Sequence, residues 1–139
     1  MKRFEFRFDP RYRRILWLLG ITPSRSWVVI DRGWLDARFG LWRLRTPLVN
    51  IECTEVSGPY VAHRAIGPHV SMVDRGLSFG SNIERGVCLR FHEPVTTPTT
   101  LSVIHHPGLT VTVDDIDALV AAIGRGLDAA GDDRSVERD

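Results

Sequence analysis

Apolar and polar residues alternate with a period of two along much of this chain, and that alternation restricts the fold to sheets. Phe4, Phe6 and Phe8 alternate with Arg3, Glu5 and Arg7. Val87, Leu89 and Phe91 share one face of a second run, and Leu109, Val111 and Val113 one face of a third. Successive side chains of a strand point to opposite faces, so each run reads as a half-buried strand. One long segment keeps the other period. Ile116, Leu119, Val120, Ile123 and Leu127 recur at helical spacing and form a single apolar stripe. Asp114 caps that helix, and acidic residues in its first turn complement the helix dipole.

Turn signals divide the rest. Asp9-Pro10 reads as the start of a short helix, with Ile15, Leu16, Leu18 and Leu19 as its apolar face and Gly20 at its end. Trp27 to Ile30 and Trp34 to Phe39 are strands around an Asp31-Arg32-Gly33 turn. Gly40 permits a bend, Leu41 to Leu44 continues as strand, and Leu48 to Val56 follows with Val49, Ile51 and Cys53 on one face. Tyr60 to Ile66, His69 to Val73 and Leu77 to Ser81 are further strands, the last two joined at Asp74-Arg75-Gly76. His92 to Thr100 reads as an irregular excursion, and Pro107-Gly108 as a turn.

A chain of 139 residues is one domain in length, here residues 1–130 with a core over about 27–127 and a flexible polar tail over 131–139. The net charge of +1 supplies no global attraction to nucleic acid, and no nucleic-acid partner is expected. The charge is nonetheless divided: up to Arg45 eleven basic residues face four acidic ones, and beyond it seven face thirteen. Lys2 is the only lysine beside seventeen arginines, a bias that fits a GC-rich genome. Cys53 and Cys88 match no metal or redox spacing. With no secretory pattern at the start, the expected location is the cytoplasm, with both thiols reduced.

Reactive constellations are weak. Gly76-Leu77-Ser78-Phe79-Gly80 matches the nucleophile-elbow pattern G-x-S-x-G, but that motif needs a helix after the serine, and no helical period follows. The reading is a strand with Ser78 outward and Phe79 inward. His63, His69, His92, His105 and His106 have no ligand spacing, and His105 and His106 point oppositely if extended. Cys88 sits mid-strand. No catalytic residue, metal site or cofactor is expected, and no glycine-rich phosphate cradle occurs.

Residues 25–45 stand out. Arg25, Arg32, Arg38, Arg43 and Arg45 interleave with Trp27, Trp34 and Trp42. In an extended chain Trp34, Asp36 and Arg38 share one face while Leu35, Ala37 and Phe39 share the other. Arg32, Arg38, Arg43 and Arg45 are therefore the candidate face for an anion or a partner, set against a solvated face with internal cross-strand pairing.

The order of elements, antiparallel strands ending in one amphipathic helix entered through Leu109-Thr-Val-Thr-Val-Asp-Asp-Ile-Asp-Ala-Leu-Val, resembles the pleckstrin-homology-like domains of bacteria. The chain is also similar to small uncharacterised proteins of actinobacteria. The resemblance covers roughly Trp27 to Leu127. It implies a split antiparallel barrel of about seven strands closed by the C-terminal helix, with the N-terminal strand and short helix as an addition. Its lipid-binding members use basic residues beside the first hairpin, where Arg32 and Arg38 fall, but the lysine usual there is missing and the turn is short. The expected function is a non-catalytic binding or assembly module with a protein partner or a second copy, since the Phe4–Phe8 strand can add to its own sheet or to a neighbour's. The alternatives are a small-molecule binder or small enzyme using the barrel interior, and peripheral attachment to an anionic membrane surface through the basic half.

Overall fold

The computed structural model describes residues 1–59, 66–70, 77–82, 84–96 and 105–138. The strand expected over 60–66, save Ile66, the turn at 74–76 and His63 lie outside these residues. Among the described residues, nine strands form two sheets. The first is a meander of β1 (Lys2–Glu5), β2 (Ser26–Asp31), β3 (Trp34–Phe39) and β4 (Trp42–Pro47), in that order. The second contains β5 (Ile51–Ser57), β6 (Gly67–Val70), β7 (Leu77–Gly80), β8 (Gly86–Thr96) and β9 (His105–Val111), in the order β5-β8-β9-β7-β6. A short helix α1 (Arg13–Leu18) follows β1, and α2 (Ile116–Arg138) ends the chain. The protein is mainly β with a C-terminal helix, and strands β2 to β8 fall in the stretch where about seven were expected.

The first sheet follows from its sequence. Leu35, Ala37 and Phe39 face inward with Val28 and Leu44, all fully buried. Arg32 and Gly33 form a two-residue hairpin loop with φ of 50° and 79°, positive at both positions as a type I′ turn requires. Gly40 opens the next two-residue loop with φ of 65°, and a Cβ there would lie 2.8 Å from Ile21 Cγ1. The bend expected at Gly40 is therefore a full hairpin reversal.

Aromatic packing joins the two sheets. The Phe39 ring stacks on Phe79 at 5.3 Å between centroids and meets Phe6 at 5.0 Å. Phe39 belongs to the first sheet, Phe79 to the second, and Phe6 to the segment that crosses between them. That crossing is held by polar groups. Phe6 forms a bridge with Val113, Arg7 N–H donates to the Thr112 carbonyl, and Asp114 N–H donates to the Glu5 carbonyl. Ser81 Oγ donates to the Arg7 carbonyl at 2.6 Å, and Asn82 Nδ2 donates to the same oxygen at 2.9 Å. Asn82 Oδ1 accepts from the N–H groups of Glu84 and Arg85. Ser81, Asn82 and Thr112 are all buried.

Several expectations change. Among the described residues the strand pairs are antiparallel except one: β9 inserts between β7 and β8, and lies parallel to β7. Pro107-Gly108 lies within β9 rather than in a turn, and the excursion expected from His92 continues β8 to Thr96. The register explains both, because Arg90 pairs with Gly108 and Val95 with His106, so four β8 residues bulge opposite Pro107, which has no N–H to offer. The Asn50 side chain takes the partner's role there, donating to the Glu93 carbonyl and accepting from Glu93 N–H, each at 2.9 Å. A second bulge between Ile51 and Cys53 breaks the expected alternation, leaving Ile51 buried and Cys53 exposed.

The helices shift as well. Asp9 does not cap α1; its carboxylate accepts the Arg11 N–H at 2.9 Å in a local turn, and α1 begins at Arg13. Of the apolar face expected for α1 only Leu16 is buried. The cap of α2 is Asp115, whose Oδ1 accepts from Ala118 N–H at 3.0 Å, rather than Asp114. Leu119 and Ile123 of α2 enter the core, and Gly126 lies against Leu48, toward whose Cδ1 a Cβ would project to 2.4 Å. The helical backbone continues to Arg138, through the described residues of the expected tail.

Two buried polar residues give opposite expectations. Asn82→Ala orphans the Arg85 and Glu84 amides and removes a donor from Arg7, costing about 2–3 kcal/mol. Ser26 Oγ is buried with no partner among the described residues, so Ser26→Ala is neutral or stabilising by about 1 kcal/mol. Urea denaturation followed by tryptophan fluorescence measures both; equal losses for the two variants contradict this hydrogen-bond assignment. Phe39→Ala, by opening the three-ring contact, costs about 3–5 kcal/mol in the same assay.

Candidate functional site

The inward face of the first sheet is filled by core residues, with Trp42 beside its cross-strand partner Phe39 packed against them, and its outward face carries Trp27, Trp34 and the strand arginines. The register sets them in rows. Arg3, Val29, Asp36 and Arg45 lie across the four strands in one row, and Glu5, Trp27, Arg38 and Arg43 in the next. Asp31, Trp34 and Pro47 form a third row, nearest the Arg32-Gly33 turn.

Within these rows, charge decides where each arginine turns. Arg38 and Arg43 are direct cross-strand partners, a repulsive placement for like charges. They diverge. Arg38 Nε donates to the carbonyl of Gly40 at 3.0 Å, closing over its own hairpin. Arg43 turns the other way and grips Asp36 with two parallel bonds, Nε to Oδ1 at 2.9 Å and Nη2 to Oδ2. That hydrogen bond raises the Arg43 guanidinium above its ordinary value, against a smaller opposing effect of burial. Arg45 lies over the Trp34 ring, its guanidinium carbon 4.4 Å from the centroid. Arg32, on the turn, makes no hydrogen bond or ion pair among the described residues.

The result is an open hollow of about 570 Å³ lined by Val29, Asp31, Arg32, Trp34, Asp36, Arg43 and Arg45. Three of the four candidate arginines meet there, and Arg38 does not. Trp34 is 40% exposed and forms an aromatic floor beside them. Arg45 also borders a second open hollow of about 550 Å³, shared with Asn50, His92, Glu93 and Val95. Sequence reasoning passed over Asn50, because nothing local in the chain marks its pairing with Glu93, 43 residues on.

This geometry suits a planar anion. Arg32 has its full set of donors, and Arg45 presents a guanidinium edge while its face rests on indole. Arg43 is held by Asp36 and acts mainly to fix the floor. Elsewhere, Ser78 is half-buried on β7 with Phe79 fully buried, the strand placement expected of that motif. Cys88 is half-buried, His92 and His105 are exposed, and His106 is buried. No three His, Cys, Asp or Glu side chains converge as a metal site among the described residues. Comparison with protein-family models, with curated proteins and with solved structures yields no match to this chain.

Arg45→Ala removes an exposed cation–π contact and is expected to cost about 0.5–1 kcal/mol while raising acrylamide quenching of Trp34. Unchanged quenching contradicts the stacking.

Proposed function

We propose that this chain is a non-catalytic binding module of the cytoplasm whose partner is a protein carrying an acidic segment, received over the outward face of the first sheet. One observation carries the reading: Arg32, without a hydrogen-bond or ion-pair partner among the described residues, and Arg45, stacked on half-open Trp34, border the same hollow. Arginine and tryptophan are the residues most often found as anchors of protein interfaces, and a guanidinium held on an aromatic ring loses little freedom when it grips a carboxylate. The hollow is open, as an extended peptide needs.

The interior supports the same choice. Phe39, Phe79, Leu35, Leu44, Leu89 and Leu109 fill the space between the sheets, so the described residues favour a packed core over a ligand chamber. Self-association through the N-terminal strand is not part of the reading, because β1 pairs with β2 and buries Phe4 and Phe6 within the chain. A pleckstrin-homology-like frame is supported by two sheets and a C-terminal helix, with the parallel β7–β9 pair as its departure. The arginine-for-lysine bias fits the actinobacterial resemblance.

Fluorescence polarisation against labelled peptides graded from neutral to acidic tests the proposal. Acidic peptides are expected to bind, with affinity falling about tenfold or more in Arg32→Glu and in Arg45→Glu. Equal binding of neutral peptides, or acidic binding indifferent to both substitutions, overturns it.

A further inference from the structure

The short helix α1 carries an apolar surface that the core does not use. Leu16 points inward, while Leu18 is 76% and Trp17 66% exposed, and Ile15 and Leu19 are exposed beside them. Leu41, in the β3–β4 turn, is 74% exposed. The same end of the molecule holds both, because Gly40 abuts the chain just after α1: a Cβ on Gly40 would meet Gly20 O at 3.0 Å and Ile21 Cγ1 at 2.8 Å. Five of the nine large exposed apolar side chains among the described residues thus belong to one end of the molecule. Soluble monomers rarely leave contiguous apolar patches larger than a few hundred Å² uncovered.

The charge around this patch has one sign. From Pro10 to Ile30 the sequence contains Arg11, Arg13, Arg14 and Arg25 and no aspartate or glutamate. Arg11 is committed to Asp9, the two bonded at 2.8 Å. Arg13 and Arg14 are exposed and stand one helical turn before Trp17 and Leu18, on the same sides of α1. Arg25 is exposed and its carbonyl accepts from Gly40 N–H at 2.9 Å, which places it at the same end. Apolar tips flanked by arginine, with tryptophan between them, match the layered chemistry of an anionic bilayer surface.

We propose that α1 and the β3–β4 turn form a docking tip for an anionic lipid bilayer, with Trp17, Leu18 and Leu41 entering the headgroup boundary and Arg13, Arg14 and Arg25 meeting lipid phosphates. The occupant is a bilayer rather than a second copy. A two-fold contact through this patch sets the Arg13 and Arg14 of each copy against the same cluster, and the segment supplies no acid to separate them. No helix among the described residues is long and apolar enough to cross a membrane, so the attachment is at the surface. This tip lies at the opposite end of β3 from the Arg32-Gly33 turn, and it is independent of the acidic-peptide reading.

The test uses the full chain and vesicles of phosphatidylcholine alone or with about one-third phosphatidylglycerol. Wild type is expected to sediment with the anionic vesicles, release as salt rises, and shift its tryptophan emission to the blue; Trp17→Phe removes that shift while keeping the binding. Leu18→Ser with Leu41→Ser, both fully surface changes, should lower affinity about tenfold or more, and Arg13→Gln with Arg14→Gln by a similar factor. No sedimentation with anionic vesicles, equal sedimentation with neutral ones, or binding indifferent to the leucine pair overturns the proposal. So does a concentration-dependent dimer in analytical ultracentrifugation that the leucine pair abolishes, since the patch then belongs to a second copy.

Discussion

Everything in this fold rests on how its two sheets are held face to face, and the contact that does so is the cluster of Phe6, Phe39 and Phe79, with Phe39 stacked on Phe79 and Phe6 tilted against it. Each ring comes from a different part of the chain: Phe6 after β1, Phe39 at the end of β3, Phe79 in β7. Aromatic burial supplies the bulk of the attraction, but rings alone do not fix register. The hydrogen bonds of Ser81, Asn82 and Thr112 do that, by seizing the Arg7 backbone where it leaves the first sheet for the second. A slip of one residue would leave several buried polar groups without partners, each costing on the order of 1–3 kcal/mol. The stack sets the distance between the sheets and the polar cluster sets their alignment.

A core completed in this way leaves the outward face of the first sheet with no structural task. Its side chains are therefore free to compete among themselves, and the outcome differs for each arginine. Arg43 wins Asp36, Arg38 falls back on a carbonyl of its own hairpin, Arg45 settles on Trp34, and Arg32 has no side-chain partner among the described residues. A half-exposed pair such as Arg43–Asp36 adds little to stability. What it does is hold one wall of the hollow still, so that a ligand meeting Arg32 and Arg45 does not first have to order it.

Those parts of the structure that depend on nearest neighbours in sequence were legible from it. The alternation of Leu35, Ala37 and Phe39 with Trp34, Asp36 and Arg38 appears in the structure as written, and so do the Arg32-Gly33 turn and the α2 stripe through Leu119 and Ile123. Features that depend on distant partners were not. Asn50 reads as an ordinary polar residue on the outer face of the Leu48–Val56 strand until Glu93 is beside it, and Ser81 and Asn82 read as a strand end and the loop after it until Arg7 arrives. Pro107-Gly108 has the chemistry of a turn, and only the opposing bulge in β8 lets it remain strand. The apolar run of α1 misled for a different reason: an apolar residue is a core residue only if something covers it, and sequence spacing does not say what covers Ile15, Trp17 and Leu18. Of the candidate site, the residue types and their common face were readable, while the turning of Arg38 away from the hollow needed the register that sets it opposite Arg43.

The meander also separates the two proposed surfaces. β3 runs from Trp34, at the hollow, to Phe39, next to the Gly40-Leu41 turn, a length of roughly 17 Å at the usual strand rise. A bilayer meeting Leu41 and α1 therefore leaves Arg32 and Trp34 at the far end of the sheet, facing water. Were the two surfaces one, lipid and acidic peptide would compete for the same arginines, and salt would weaken both through the same groups. On the two proposals distinct arginines would serve each end, Arg13, Arg14 and Arg25 at one and Arg32 and Arg45 at the other, so that both could be occupied at once. Such a chain would hold an acidic partner at a membrane without any moving part, since the rigid span between the two ends is a strand whose inward face is locked by Phe39 into the core.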